Sequence, residues 1–413
     1  MMYIVGEDVF LSRPLEGPLS AHIDSFGKWA RDAGYTLYSR QRQILLGACF
    51  SRWLGRLRVR LGNINDRHVL RFLRFRARHV KICRGDEAAL RHLIGYLRAQ
   101  GVVPEKKTLA HQPTPVEQVV QDFESYLLKE RVLAVPTVLN YVTSVRGFLT
   151  DRFGRGSVDL SRLCAADVVR FVERQARRLH VKRVKLLTTA LRSFLHYLLY
   201  RGATFHDLAE AVPTVANWSM TSIPRGIAPD LTHRLLASIN RDSAMGRRDY
   251  AILLLLARLG LRASEVAGLQ LEDIDWDTGT LSLRRKGGHH SVLPLPAEVG
   301  AAIAAYLRHG RPQNNFCRGV FLRSRAPIKG FVGPVAITSI VKNNLARARI
   351  NAPTKGAHQF RHGLATDMLR HGASLLEIGE LLGHCSPETT RIYAKVDLNA
   401  LRPLALPWPG GVR

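Results

Sequence analysis

Cysteine is scarce in this chain, and long apolar runs are absent. The 413 residues include only five cysteines, with no Cys-x-x-Cys pair. They are Cys49, Cys83, Cys164, Cys317 and Cys385. This scatter argues against a disulfide framework or a zinc site and fits a reducing compartment. The longest apolar stretch, Tyr250 to Ala257, is far shorter than the ~20 residues of a membrane span. Because the first residues also lack the basic and apolar regions of a signal peptide, we expect a cytoplasmic protein.

Metal-binding patterns are equally weak. The best candidates are His289 with His290, and His358 with His362 at helical spacing. Neither pair has an acidic third ligand nearby, so we expect no metal site.

Acidic residues are few relative to basic ones. The chain has 61 Lys and Arg against 33 Asp and Glu, a formal net charge of +28. Such an excess favours a polyanionic partner, and double-stranded DNA is the first candidate. A ribosome-associated or peripheral membrane protein would also account for the charge alone.

Residues 19–101 and 116–202 resemble two copies of one helical unit. Aromatic residues and a closing glycine recur in the same order, with an offset that drifts from 97 to 101 residues. Examples are Phe26, Trp29, Phe72, Tyr96 and Gly101 beside Phe123, Tyr126, Phe171, Tyr197 and Gly202. The pattern indicates a duplication, although amphipathic helices also resemble one another by chance. Apolar periodicity predicts helices in the second copy at about 116–129, 136–153, 164–179 and 183–201.

Both copies carry basic residues on their polar faces. Those in the second copy are Arg170, Arg174, Arg177, Arg178, Lys182, Arg183 and Lys185. Those in the first are Arg40, Arg42, Arg74 and Arg78. A solvated face is the ordinary explanation of such charges, but this density favours contact with a phosphate backbone.

The pattern changes after a Pro-containing connector. We predict helices near 230–239, 247–258, 263–270, 297–308, 336–349, 358–371, 374–383 and 387–394, with a small antiparallel sheet between 273 and 295. The expected domains are 1–105, 106–207, a linker at 208–228, 229–396, and a C-terminal tail at 397–413.

Several residues of the last domain have chemistry that suits a phosphodiester. Arg262 follows Gly260 and Leu261 near a predicted helix start, where an anion is favoured. Arg361 lies three residues after His358, so the two share a helical face and could bind one phosphate. Each residue alone is as well explained by surface exposure or helix packing.

A tyrosine and a lysine complete the set. His384 follows Gly383 at a predicted helix end, and Tyr393 lies in the next helix. Tyr393 could act as a nucleophile, and the nearby Arg391 and Lys395 should favour its ionisation. Lys286 lies on a turn with Arg284 and Arg285, where it could protonate a leaving oxygen or only contact phosphate.

In order, Arg262, Lys286, His358-x-x-Arg361, His384 and Tyr393 resemble the catalytic pattern of the tyrosine recombinases, the phage integrase family. The flanking Gly-Leu-Arg-x-Ser-Glu, His-x-x-Arg-His and Leu-Gly-His segments match as well. Residues 116–202 resemble the family's helical, SAM-like core-binding domain. The implied fold is mainly α with a small antiparallel β-sheet: two tandem core-binding-like domains precede a mixed α+β catalytic domain.

The resemblance implies a site-specific recombinase that cleaves and rejoins DNA without ATP, metal or other cofactor. In that mechanism the arginines hold the phosphate, Tyr393 forms a 3′-phosphotyrosyl link and Lys286 protonates the 5′-oxygen. His384 donates a hydrogen bond, and His358 acts as base or orients the phosphate. Integration, excision or transposition of a mobile element would be its purpose.

The resemblance also implies partners: double-stranded DNA, a homotetramer, and in some relatives other recombinases or DNA-bending proteins. The tail at 397–413 could dock on a neighbouring subunit or fold on its own domain. The extra N-terminal copy departs from the family pattern. Two alternatives remain open, a type IB-like topoisomerase and a catalytically silent DNA-binding protein.

Overall fold

A computed structural model describes most of the chain, with several short gaps. The described residues are 3–105, 113–154, 156–216, 223–285, 290–312, 317–384 and 386–396. None of the helices in these ranges has both the length and the apolar composition needed to span a bilayer. By contacts the chain divides into two units, Lys106–Thr221 and the remainder, Met1–Glu105 with Ser222–Arg413.

The first copy is a four-helix bundle preceded by a short hairpin. Its elements are β1 (Tyr3–Val5), β2 (Val9–Leu11), α1 (Ser20–Asp32), α2 (Leu37–Arg56), α3 (Asp66–Ala77) and α4 (Asp86–Ala99). The hairpin is antiparallel, and its inward residues Val5, Val9 and Leu11 join the buried core of the bundle. This hairpin was not predicted from the sequence.

The second copy has the four predicted helices, with ends shifted by a few residues. They are α5 (Pro115–Lys129), α6 (Val135–Phe153), α7 (Ala165–Ala176) and α8 (Val181–Tyr200). In α5 the side chain of Thr114 accepts a hydrogen bond from the Glu117 amide, and Pro115 occupies the first turn, where its missing N–H costs nothing. Residues of α5 at helical spacing, such as Val116, Val120 and Phe123, are buried together.

The two bundles share their aromatic packing. In the first, Trp29 and Tyr96 have ring centroids 5.6 Å apart, and both rings contact Phe26. In the second, Tyr126 and Tyr197 lie 4.8 Å apart, and both contact Phe123. A second pair also recurs: Phe50–Phe72 at 5.2 Å and Phe148–Phe171 at 5.3 Å. These matched contacts support the duplication, which remains a prediction about the history of the chain.

The segment predicted as a linker at 208–228 packs at both of its ends. Ala209 and Val212 are buried in the core of the second bundle, and Arg192 donates a hydrogen bond to the carbonyl of Val212 at 2.8 Å. At the other end Ile227 is buried against the C-terminal part, and its amide donates to the carbonyl of Gln359 at 3.2 Å. The part of the connector for which no packing contact is described is therefore shorter than the predicted range 208–228.

The C-terminal part contains eight helices and a three-stranded sheet within the described residues. Its helices are α9 (Pro229–Ala237), α10 (Ala244–Arg258), α11 (Ala263–Gly268), α12 (Ala297–His309), α13 (Pro334–Arg347), α14 (His358–Arg370), α15 (Leu375–Leu382) and α16 (Pro387–Thr390). A 3-10 helix, Arg391–Val396, continues from α16. Its strands are β3 (Ile274–Asp275), β4 (Thr280–Arg284) and β5 (His290–Pro294).

The predicted antiparallel sheet is confirmed, in the order β3-β4-β5. Leu281 pairs with Leu293, and Arg284 pairs with His290 at the end of the hairpin. Side chains alternate along β4, where Leu281 and Leu283 are buried and Ser282 is exposed. One face of the sheet therefore joins the core, as the period of two requires.

The central helix α10 contains the longest apolar run of the sequence. Residues 251–256 are all fully buried, so this helix is surrounded by others rather than lying at the surface. Two charged residues at its start, Arg248 and Asp249, are also buried and pair with each other at 2.7 Å. The other carboxylate oxygen of Asp249 accepts from the amide of Asn344 at 3.1 Å and from Arg347 at 3.4 Å. This network joins α10 to α13.

Replacing Asp249 with alanine should destabilise the protein by about 3–5 kcal/mol, because Arg248 would remain buried without its counter-charge. Chemical denaturation measures this loss. Asp242→Ala is the matched control, since Asp242 is exposed and should change stability by less than about 0.5 kcal/mol. Equal effects of the two substitutions would show that the buried network contributes nothing.

Candidate active site

Arg262 stands immediately before α11, as the sequence predicted. It is the N-cap residue of that helix, and its guanidinium donates to Glu265 Oε1 at 2.8 Å. The other oxygen of Glu265 accepts from the backbone amide of Arg262 at 2.7 Å. Glu265 thus both caps α11 and orients the arginine. A second nitrogen of Arg262 lies 3.3 Å from the carbonyl oxygen of Gly383, which is 121 residues away in sequence.

Arg361 lies on α14 and is almost completely buried, with 2% of its surface exposed. It donates to the carbonyl oxygens of Gly260 at 2.9 Å and Leu382 at 2.5 Å. These bonds hold the side chain while leaving other N–H groups of the guanidinium able to donate to a phosphate. Burial, reinforced by the charge of Arg262, lowers the pKa of Arg361 to about 10, so it remains charged at neutral pH.

A glycine at the end of α15, directly before His384, leaves room for the side chain of Arg285. Gly383 has a φ of 61°, and a side-chain carbon there would come within 1.5 Å of the Arg285 guanidinium. Only glycine satisfies both the left-handed backbone and this close approach. His384 follows, and its Nδ1 lies 2.7 Å from the buried hydroxyl of Thr390. Burial and the charge of Arg361 lower the pKa of His384 to about 4, so its ring is neutral.

Tyr393 lies in the 3-10 segment after α16 and is 1% exposed. Burial raises the pKa of its phenol to about 12, and the charge of Arg361 offsets only part of this. The prediction that Arg391 and Lys395 favour ionisation is wrong in direction, because burial outweighs nearby charge. Arg391 is instead paired with Glu388 at 2.6 Å on the exposed face of the segment.

The phenol oxygen of Tyr393 has a partner that sequence analysis missed. His362 Nδ1 lies 2.9 Å from it. The ring of His362 also packs edge-on against that of His358, one turn earlier on α14, with centroids 4.3 Å apart. Sequence analysis named His362 as half of a metal-like pair and as the last residue of the His-x-x-Arg-His segment, without giving it a catalytic role. Its position directly after Arg361 was the available signal.

His358 begins α14 beside both arginines. Burial, then the charges of Arg361 and Arg262, lower its pKa, so the ring is neutral at neutral pH. A neutral imidazole can donate one hydrogen bond and accept another. Within the described residues no group of three or more His, Cys, Asp or Glu is arranged to hold a metal ion.

Lys286 lies outside the described residues, between β4 and β5. Its neighbours in the hairpin differ in environment: Arg284 is exposed, whereas Arg285 is buried. Arg285 donates to the hydroxyl of Ser291 and to the carbonyl oxygen of Leu381, at the end of α15. The side chain of Arg285 therefore extends into the site instead of lying on the outer surface of the sheet.

The predicted DNA-contacting residues of the second bundle are all exposed. They are Arg170, Arg174, Arg177, Arg178, Lys182, Arg183 and Lys185. Two of them are paired with acids, Arg170 with Asp167 and Arg174 with Asp151. The other five, around the junction of α7 and α8, form no ion pair among the described residues.

Two arginines of the first bundle do not lie on a solvated basic face as expected. Arg40 is buried and makes two hydrogen bonds of 2.7 Å to the carboxylate of Asp8. Arg42 is bound to the buried Asp86 at 2.6 Å. Both are internal ion pairs of the bundle, whereas Arg74 and Arg78 are exposed.

Two family models match the chain. The model of the phage integrase family matches residues 227–399, and that of the phage integrase N-terminal SAM-like domain matches residues 120–202. The first range contains Arg262, His358, Arg361, His384 and Tyr393. The second range corresponds to the second bundle.

Among curated proteins, y4rA of Sinorhizobium fredii, named as an integrase/recombinase, is 54% identical over 410 residues, which is 99% of each chain. Tyrosine recombinase XerD of Listeria monocytogenes serotype 4b is 29% identical over 291 residues, covering 68% of this chain and 95% of the relative.

Two solved structures share the fold. The XerH recombinase in a post-cleavage complex with a difH substrate has a TM-score of 0.55 and 18% identity, covering 69% of this chain and 83% of its own. The Tn1549 transposon integrase with circular-intermediate DNA has a TM-score of 0.52 and 16% identity, covering 70% and 99%. With the site geometry and the 54% identical relative, these matches show that the chain belongs to the phage integrase family of tyrosine recombinases, which cleave and rejoin DNA.

Proposed function

We propose that Tyr393 attacks a DNA phosphate held by Arg262, Arg361, His358 and His384. The observation that carries this assignment is the convergence of residues from three distant segments, namely 260–262, α14 with Arg361, and 382–383. Arg262 reaches the end of α15 at Gly383, and Arg361 reaches both Gly260 and Leu382. The two cationic side chains therefore face one small region from two directions. This arrangement suits a phosphate whose non-bridging oxygens gain negative charge in the transition state.

The proposed step exchanges one phosphodiester for another. The Tyr393 oxygen forms a bond to phosphorus while the bond to the 5′-oxygen breaks, leaving a 3′-phosphotyrosyl link. Lys286 donates a proton to the departing 5′-oxygen, and the arginines stabilise the charge on the non-bridging oxygens. A 5′-hydroxyl from a partner strand reverses the step. Bond energy is kept in the covalent link, so the step needs no nucleotide cofactor.

A labelled-DNA trapping experiment tests this function. The protein would be incubated without ATP and with a chelator on nicked duplexes from the ends of its host element. One strand would carry a label upstream of the cleavage point, and a matched duplex would carry it downstream. A denaturant-resistant adduct containing only the upstream label is expected. An adduct that keeps the downstream label would contradict the 3′ link, and no adduct despite tight binding would indicate a silent DNA-binding protein.

Relaxation of a supercoiled plasmid separates recombination from topoisomerase activity. We expect little relaxation of a plasmid that lacks element ends, and strand exchange between two duplexes that carry them. Efficient relaxation without any special site would favour a type IB-like topoisomerase.

We further propose that the basic corner of the second bundle binds the DNA backbone. Arg177, Arg178, Lys182, Arg183 and Lys185 are exposed there and form no ion pair with any residue that the structure describes, and each can release a counterion on contacting a phosphate. Arg170 and Arg174 would extend this surface. In the C-terminal part of the chain, Arg284 would contact DNA from the hairpin, and Arg285 would do so at the site itself.

Replacing Lys182 and Arg183 together with alanine should weaken DNA binding about equally for all sequences. It should also reduce the slope of log affinity against log salt by about 2, one for each lost phosphate contact. Fluorescence anisotropy at several salt concentrations measures this slope.

Arg201→Ala is the matched control, since Arg201 follows the opposite end of α8 and pairs with Glu130 at 2.6 Å. The 20-residue helix separates the two sites by roughly 30 Å at 1.5 Å per residue. A loss from the control that is half that of the double substitution would mean that the affinity depends on net charge instead of this corner, because the control removes one charge and the double substitution removes two.

We propose a homotetramer on two DNA sites, acting at the bacterial nucleoid in integration, excision or transposition of a mobile element.

Residues 397–413, which lie outside the described residues, would lock neighbouring subunits together. Deleting them should abolish synaptic complexes in native gels while DNA binding persists. Unchanged assembly would exclude that role for the tail. If other recombinases or DNA-bending proteins are required, adding them to the purified protein should restore strand exchange.

A further inference from the structure

The contact between His362 and Tyr393 gives the nucleophile its own proton acceptor. His362 Nδ1 lies 2.9 Å from the phenol oxygen, which is hydrogen-bond distance. Within the described part of the chain, no other residue makes a hydrogen bond to that oxygen. We propose that His362 accepts the phenol proton as Tyr393 attacks the phosphate, and returns it when the link is resolved. The proposal rests on Tyr393 being the nucleophile.

Burial makes such an acceptor necessary. With its pKa raised to about 12, the phenol of Tyr393 would be ionised in only about one molecule in 10⁵ at pH 7. Waiting for that fraction would slow the attack, whereas transfer during attack avoids free phenolate. A positioned general base contributes about 10²–10⁴-fold to a rate.

His362 is in the correct protonation state for this role. Burial, then the charges of His358 and Arg361, lower the pKa of His362 to about 4, so the ring is neutral above roughly pH 5. A neutral imidazole carries one proton, and Nδ1 can accept from the phenol when that proton is on Nε2. No proton has to leave His362 before the reaction begins.

His358 is placed differently. It is one turn earlier on α14, where its ring packs against the ring of His362 with centroids 4.3 Å apart. After burial, the charges of Arg361 and Arg262 lower its pKa, and both arginines belong to the phosphate-binding side of the site. The two histidines therefore have different roles: His358 contacts the phosphate, and His362 accepts the proton of Tyr393.

The proton balance of the step is complete. The O–H bond of Tyr393 breaks, its proton moves to His362 Nδ1, and the phenol oxygen bonds to phosphorus. The bond to the 5′-oxygen breaks, and that oxygen takes the proton that the proposed function assigns to Lys286. The phosphate carries one negative charge before and after the step, and this charge stabilises the resulting imidazolium. When a 5′-hydroxyl attacks the phosphotyrosine, the imidazolium protonates the departing phenol oxygen.

The decisive variant is His362→Asn. Its amide oxygen can replace Nδ1 as the acceptor of the phenol hydrogen bond, but it does not take up a proton. Single-turnover cleavage of the nicked duplex should slow by about 10²-fold. DNA affinity and melting temperature should remain those of the unsubstituted protein. Site-specific replacement of Tyr393 by a fluorinated tyrosine of lower phenol pKa should recover most of the lost rate, because a more acidic phenol depends less on a base.

The outcomes separate the possible roles. Cleavage by His362→Asn within about threefold of the unsubstituted rate would overturn the assignment, since a base contributes far more. A slow variant that fluorinated tyrosine does not rescue would also overturn it and show that His362 only positions Tyr393. His362→Gln, measured in the same way, replaces the asparagine variant if that variant does not fold. Failure of the unsubstituted protein to form any adduct would instead refute the proposed function.

Discussion

Replacing Tyr393 with phenylalanine should eliminate the covalent protein–DNA adduct while leaving DNA binding intact. The substitution keeps the buried ring and removes only the oxygen that bonds to phosphorus. Loss of a nucleophile removes the covalent route, so the cleavage rate should fall by a factor on the order of 10⁴ or more. Denaturing gels of labelled nicked duplexes measure the adduct, and mobility shifts on the same duplexes measure binding. The cost in stability should be about 1–3 kcal/mol, because His362 loses its partner.

Tyr306→Phe is a matched control for this experiment. Tyr306 is also a buried tyrosine of the C-terminal part, and its hydroxyl accepts a hydrogen bond from the Leu322 amide at 3.2 Å. Its replacement should reduce stability by a similar amount and leave cleavage unchanged. An adduct that persists in Tyr393→Phe would identify a different nucleophile and refute the proposed mechanism.

Arg262→Ala should produce the second largest loss, about 10³–10⁵-fold in cleavage rate, as for other arginines that stabilise a transferring phosphoryl group. The guanidinium is held by Glu265 at 2.8 Å and is partly exposed, so it can reach a phosphate without rearranging the core. Arg262→Lys should recover only part of the rate, because lysine keeps the charge and loses the planar fork. Single-turnover cleavage at saturating protein separates this effect from binding.

Arg258→Ala controls for the loss of a positive charge near the site. Arg258 lies at the end of α10, is partly exposed and pairs with Glu298 at 3.0 Å. Its removal should change the cleavage rate by less than about threefold, as expected for an exposed ion pair worth at most about 1 kcal/mol. Equal losses from the two alanine variants would mean that general electrostatics, and not the position of Arg262, governs the rate.

Helices and the order of catalytic residues were predictable because their signals are local. The apolar spacing of Val116, Val120 and Phe123 determines the face of α5 without knowledge of its neighbours. The three strands were predictable from alternation and turn residues. The N-terminal hairpin was missed because strands of three residues are too short to show a period.

Contacts between distant segments were not predictable. In the sequence Arg40 resembles any other surface arginine. In the fold it is paired with Asp8, which is 32 residues away in sequence. The contact of His362 with Tyr393 likewise joins two elements 31 residues apart. The ionisation of Tyr393 was not predictable for the same reason. Neighbouring basic residues suggested an acidic phenol, but burial in the fold raises its pKa.

The near-complete burial of Tyr393 has a consequence for how the protein behaves on a chromosome. With a net charge of +28, the protein should spend most of its time on DNA that is not its target. An oxygen that is closed to water is equally closed to the phosphates of such chance encounters. Cleavage therefore requires a local shift that admits a phosphate to the phenol oxygen while the contact with His362 is kept, and DNA bound at the proper site would have to stabilise that shift. Burial of Tyr393 should therefore limit the cleavage of DNA that the protein binds only in passing.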